Sequence, residues 1–116
     1  MKRLCLFVAC GALGACASTP KPEARMASSE RAIGQAQEAG AQNVPQATLQ
    51  LQLATEERQK AVQLSASGEQ HRADLMFARA EADADLAVAY AHASSAQQGA
   101  AQANQQVQDL QKAGAQ

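Results

Sequence analysis

Few side chains in this chain of 116 residues carry reactive chemistry. The thiols are Cys5, Cys10 and Cys16, the imidazoles are His71 and His92, and Glu81, Asp83 and Asp85 form a short run of carboxylates. A cysteine can act as nucleophile, disulfide partner, metal ligand or acylation site. The two histidines stand several helical turns apart, so one straight helix cannot bring them to a shared metal. Asp85 and His92 are likewise too far apart along a helix axis for joint ligation. Glu81 and Asp85 share a face at i,i+4, where two carboxylates either take a divalent cation or form a solvated face partly balanced by Arg79. General acid–base work by such a pair requires a pocket around it, and nothing in the sequence supplies one. No catalytic residue, metal site or cofactor is predicted.

The cysteines have a clearer context. Lys2 and Arg3 form a positive start, Leu4 to Leu13 is almost wholly apolar, and small residues follow. That order is the order of an export signal. The apolar run is about ten residues, and a membrane-spanning helix needs roughly twenty, so the segment is expected to be removed and not retained as an anchor. The tetrad Leu13-Gly14-Ala15-Cys16 that closes it resembles the lipobox of bacterial lipoproteins. The resemblance implies that residues 1–15 are cleaved off and that Cys16 becomes the acylated first residue of the mature chain. A thiol suits that role, because it forms a thioether to diacylglycerol while the freed amine takes a further acyl chain. Each buried methylene contributes about 0.8 kcal/mol, and two or more chains anchor stably. On this reading Cys5 and Cys10 leave with the signal and Cys16 is consumed by lipid. No thiol then remains for a disulfide, a metal or a nucleophile. Without lipid, Cys16 would be a lone thiol in an oxidising compartment, where dimerisation follows. By the same resemblance, Ala17 in place of Asp after the cysteine points to the outer membrane, with the body facing the periplasm.

The elements that follow must be mostly helical. Alanine and glutamine dominate, both favour helix, and the β-branched and aromatic residues that mark strands are scarce. Without Lys2 and Arg3 the formal charge of −1 becomes about −3. Basic and acidic residues are interspersed, so no basic surface points to nucleic acid. Alanine buries little area per residue but lets helices approach closely. The expected fold is all-α, an elongated alanine-rich helical hairpin or three-helix bundle after a cleaved signal peptide. Residues 16–22 form the acylated cysteine and a tether stiffened by Pro20 and Pro22. Residues 23–111 form the helical domain, and 112–116 a frayed tail.

Helix 1 is predicted from about Glu23 to Ala39, with Met26, Ser29, Ile33, Ala36 and Gly40 in a 3-4-3-4 spacing, Met26 and Ile33 as its best buried anchors, and Gly40, Asn43 and Pro45 marking a stop and restart. Helix 2 is predicted from Pro45 to Ala66. In it Ala47, Ala54 and Ala61 recur every seven residues beside Leu51 and Leu64, while Glu56, Glu57, Arg58 and Lys60 lie mostly on the other face. Glu56 and Lys60 form an i,i+4 pair in the favourable order. Ser67-Gly68 ends the helix. Helix 3 is predicted from about Glu69, with Ala73, Phe77, Ala80, Ala84, Ala87 and Ala91 in an unbroken 4-3-4-3-4 spacing, a seam for antiparallel packing. Beyond Ser94-Ser95 the spacing resumes at Ala96, Ala100, Ala103, Val107 and Leu110, out of phase with the first seam. A break, a stripe turned to another face or partial disorder would each explain the shift. A continuing helix that frays after Leu110 is the favoured expectation.

The pattern from Gly40 to Ala91 resembles the alanine-rich lipoproteins grouped as domain of unknown function 4398 (DUF4398), over roughly Glu23 to Ala93. Pro45 opens a helix carrying Ala54 and Ala61, Gly68 makes the turn, and Ala73, Ala80 and Ala84 follow with Asp83 and Asp85 beside them. That family often precedes a peptidoglycan-binding OmpA-like domain, for which these 116 residues leave no room. The resemblance implies a helical envelope protein of unassigned activity. The alanine heptads resemble, more loosely, the outer-membrane lipoproteins that trimerise through alanine zippers and attach to peptidoglycan through a terminal lysine. Here Lys112 is followed by Ala-Gly-Ala-Gln, which argues against covalent attachment. The expectation is a non-enzymatic protein held to the membrane by acyl chains on Cys16, acting as a spacer or interaction module, either as a homo-oligomer or with an envelope protein partner. The alternative is an adaptor that regulates an envelope enzyme or transporter. Met76, Phe77 and Tyr90 would then be anchors of a helix-in-groove surface, unless they are simply the largest residues of the core.

Overall fold

The computed structural model describes residues 22–115. Leu13, Gly14, Ala15, Cys16 and the tether as far as Lys21 lie outside the described residues. Three helices make up nearly all of what is described: α1 over Pro22–Glu38, α2 over Pro45–Ala66 and α3 over Gln70–Gly114, with a 3₁₀ turn at Ala41–Asn43 between the first two. The fold is all-α and elongated. α3 alone has 45 residues, about 68 Å at 1.5 Å per residue.

Local chemistry sets the boundaries. Pro22, expected to close the tether, instead begins α1, where a missing N–H leaves no hydrogen bond unmade. α1 stops at Gly40, whose φ of 78° lies in the left-handed region. Val44 is the extended residue ahead of Pro45. Thr48 secures that corner by donating its hydroxyl to the carbonyls of Ala41 and Val44, both at 3.0 Å. α2 ends in a Schellman motif: Gly68, at φ 85°, donates its N–H to the Ser65 carbonyl, and the Glu69 N–H reaches the Leu64 carbonyl at 2.9 Å.

The core is a stack of three thin layers between these helices. Ala36, Ala41, Ala47, Ala87 and Ala91 form the layer at the α1–α2 corner, with Leu51 and Val88 packed on it. Ala32, Ala54 and Ala84 form the middle layer. Ala61, Ala73 and Phe77 form the layer nearest the α2–α3 turn, flanked by Leu64 and Met76. The pairings show α2 antiparallel to α3 and α1 running alongside α3 in the same direction. The two predicted alanine seams, Ala47/Ala54/Ala61 and Ala73 to Ala91, are the buried positions of α2 and α3. No α1 residue joins the Phe77 layer, and the aromatic ring fills the volume there.

Two expectations are corrected. On α1 the buried residues are Ser29, Ala32 and Ala36, while Met26 is exposed and Ile33 only packs at the edge of the middle layer. The helix is turned so that its smallest residues face inward, which brings it close to its neighbours. Ser29 is buried at no polar cost, because its hydroxyl donates to the Met26 carbonyl at 2.9 Å. α3 continues through Ser94 to Gly99 without a break, as favoured; the second correction is at its end, where the helix reaches Gly114 instead of fraying after Leu110. Lys112 in its last turn suits the negative end of the helix dipole.

Ala54 is fully buried at the three-helix contact, so Ala54→Leu should overpack it and cost about 1–3 kcal/mol. Phe77→Ala should cost about 3–5 kcal/mol. Gln63→Leu, on the exposed side of α2, should stay within about 0.5 kcal/mol. Urea titration followed by far-UV circular dichroism measures all three.

Candidate functional site

The charged side chains lie along the edges of the alanine layers and tie the helices together pairwise. Arg25 of α1 places Nε 3.5 Å from Asp74 Oδ1 and Nη1 3.6 Å from Glu81 Oε2, both on α3. Arg58 of α2 donates from Nη2 to Glu30 Oε2 of α1 at 2.9 Å. Arg79 of α3 reaches Glu57 Oε1 of α2 at 3.0 Å. Each helix thus contributes one arginine to a different neighbour. Glu57 and Asp74 are the most enclosed acids of the set, each with a side chain only 15% exposed. The Arg25 Nε–Asp74 Oδ1 contact is an ion contact and not an aligned hydrogen bond, for neither atom has a hydrogen-bond partner. Glu57 Oε2 is buried without a partner as well.

These contacts dissolve the acidic cluster read from the sequence. Glu81 turns toward Arg25 on α1, Asp83 lies beside Glu57 across the α2–α3 seam, and Asp85 is exposed. Arg79, expected to balance the cluster, pairs with α2 instead. Glu57 and Arg58 do not lie on the far face of α2, and Lys60 forms no ion pair with Glu56, which accepts instead from Gln52 Nε2 at 2.9 Å. The signal for this was present in the heptad count. Glu57 precedes Leu64 by seven residues and Arg58 follows Leu51 by seven, so both occupy the flank of the seam where the leucines stand.

His71 and His92 are both exposed, and His92 borders an open groove with Glu38 and Val88. Among the described residues no group of three or more histidine, cysteine, aspartate or glutamate side chains is placed to hold a metal ion. No helix among them is long and apolar enough to cross a membrane. Phe77 is 1% exposed, Met76 packs half-buried against the same layer, and Tyr90 stands 39% exposed more than three turns further along α3. The three do not meet in one patch, and Phe77 reaches no partner unless the core opens. The lipobox residues Leu13, Gly14 and Ala15, with Cys16, lie outside the described residues.

The acidity of Glu57 is perturbed. Burial raises its pKa above the ordinary 4.5, and the adjoining carboxyl and negative charge of Asp83 raise it further, outweighing the pull of Arg79 and Lys60. A carboxyl whose folded pKa is raised favours folding most when protonated. That contribution is complete below 4.5 and is lost as pH rises through the folded value. Glu57→Gln, which mimics the protonated form, should therefore raise the melting temperature at neutral pH. The difference from the parent should shrink toward zero as pH falls below 4.5. Paired thermal melts across that range measure it. Comparison of the chain with models of known families, with curated proteins and with solved structures gives no match.

Proposed function

We propose that this chain is a lipid-anchored cell-envelope protein, held in the outer membrane by acyl chains on Cys16 and facing the periplasm. The observation that carries this reading is the coincidence at one place of Lys2-Arg3, the apolar Leu4 to Leu13 and the tetrad Leu13-Gly14-Ala15-Cys16. The helical body acts as a spacer and interaction domain without catalytic activity. Its architecture supports that role. The interior is filled by alanine layers, and among the described residues grooves such as the one bordered by Glu30, Ile33, Thr55 and Arg58 lie on the outside. The resemblance to the DUF4398 lipoproteins, with Pro45, Gly68 and the alanine seams as its carriers, points the same way.

The tether joins α1 beside the α2–α3 turn, where Arg25 meets Asp74. The far end of α3 therefore projects away from the anchored end. Such a body would place its C-terminal helix several tens of ångströms from the lipid surface.

Growth with labelled palmitate should label the wild-type chain, and Cys16→Ser should abolish both the label and recovery with the membrane fraction. Soluble, unlabelled wild-type protein would overturn the anchor. Density-gradient separation should place the wild type with the outer membrane and move Ala17→Asp toward the inner membrane.

A further inference from the structure

α1 and α2 cover only the first half of α3. The corner layer ends at Ala91, and from His92 to Ala115 every residue except Ser94 is exposed. Isolated helices draw little stability from propensity alone and depend on packing of an apolar face. This stretch, with Ser94, Ser95, Gly99 and Asn104 in it, has no such packing among the described residues.

The exposed half has its own seam, and the seam starts earlier than the overhang. Ala82, Leu86, Ala89, Ala93, Ala96, Ala100, Ala103, Val107, Leu110 and Gly114 follow an uninterrupted 4-3 spacing. All ten are exposed, the larger ones heavily: Leu86 by 39%, Val107 by 52% and Leu110 by 73%. At about 100° per residue this seam lies roughly 160° around the helix from the buried seam of Ala73 to Ala91. It therefore faces away from α1 and α2. We propose that this outer seam of α3 pairs with the same seam of a second copy, in parallel.

Charge selects a second copy over an unlike partner. From Gly99 on, the positions flanking the seam (Gly99, Asn104, Gln106, Gln111 and Ala113) carry no charge, and Asp109 and Lys112 lie outside them. In a parallel two-stranded pair each residue ahead of a seam position faces the one five further along in its partner. Asp85 would then face Tyr90, His92 would face Gln97, and Gln106 would face Gln111. No like charges meet, so symmetry carries no electrostatic penalty and no oppositely charged partner is called for.

Geometry agrees. The rotation of roughly 160° sends the two α1–α2 layers to opposite outer sides, so parallel copies do not collide. A seam of about 48 Å, on helices about 10 Å across, buries roughly 1,000 Å² in total, the lower bound of a specific interface. The chain's own leader is a poor occupant. Six residues from Cys16 to Lys21 reach at most about 20 Å, from the end of the body opposite to the overhang.

The test uses the full chain in detergent with Cys5, Cys10 and Cys16 all replaced by serine, so its outcome is independent of the lipid anchor. Single cysteines at Ala100→Cys and Val107→Cys, on the seam, should each give a disulfide-linked dimer on mild oxidation, several-fold above Gln98→Cys and Gln105→Cys on the opposite face. Linking at only one of the two seam positions would overturn the parallel register. Equal linking on both faces, or on neither, would overturn the interface. In sedimentation equilibrium the cysteine-free chain should show a concentration-dependent dimer, and Val107→Glu with Leu110→Glu should make it monomeric with an unchanged thermal transition of the body. A monomer at all concentrations would sink the proposal, and so would a dimer indifferent to the double substitution.

Discussion

Close approach is the constraint on which this structure depends. Eleven of the twelve buried apolar residues among those described are alanines, and a methyl group contributes little on its own to a hydrophobic core. The gain comes from backbone proximity, since small side chains let three helices pack with few voids and many weak contacts. Length then compensates for thinness. The same layer recurs at seven-residue intervals along α2, and a chain of this composition can add stability only by adding layers. The result is an elongated body and not a rounded one. Phe77, the one buried aromatic among the described residues, sits in the layer to which α1 contributes no buried apolar residue.

A seam of near-identical residues raises a second problem, that of register. Sliding α2 by one heptad would set Ala47 where Ala54 stands and leave the alanine packing almost unchanged. The charged edges break that degeneracy. Arg25, Arg58 and Arg79 each span a different pair of helices, and a slip of α2 would separate Arg58 from Glu30 and Arg79 from Glu57, leaving Glu57 half-buried without compensation. Exposed ion pairs contribute little stability, but here they act on the difference between one alignment and the next. The raised pKa of Glu57 is the cost of placing a carboxyl on that edge: it is desolvated beside Asp83, and Arg79 only partly offsets this.

Much of this was legible in the sequence where a short residue has a single outcome. Pro45 and Gly68 fixed α2, and the spacing of Ala73, Phe77, Ala80, Ala84, Ala87 and Ala91 named the buried face of α3. The reading of α1 placed Ser29 and Ala36 on the inner face but failed on Met26 and Ile33, because it ranked positions by hydrophobicity. In a body held by close approach, size decides instead, and Ala32 and Ala36 displace Met26 from the interior. The charged edges were missed for a related reason. Glu57 and Arg58 look solvent-facing by type, yet their seven-residue relation to Leu64 and Leu51 puts them beside the seam. The run Glu81, Asp83 and Asp85 looked like one site because it is contiguous in sequence. On α3 the buried seam passes between Glu81 and Asp83, so the first faces α1 and the second α2.

The phase change after Ala91 follows from the same constraint. A helix flanked by α1 and α2 must turn its smallest residues toward them, and it does so up to the level where the α1–α2 corner closes. Past that level nothing in the chain asks the stripe to stay on that side, and the apolar positions move about 160° around the axis while the helix itself runs straight through Ser94 and Ser95. A drift of the heptad against the 3.6-residue helix would turn a stripe only gradually, by roughly 20° per heptad. A jump of this size within five residues is a change of partner. Ala82, Leu86 and Ala89 already occupy the outer face while Ala84, Ala87 and Ala91 occupy the inner one, so over about three turns α3 is built to be contacted from both sides. A helix that only closed its own bundle would carry polar residues on that outer face.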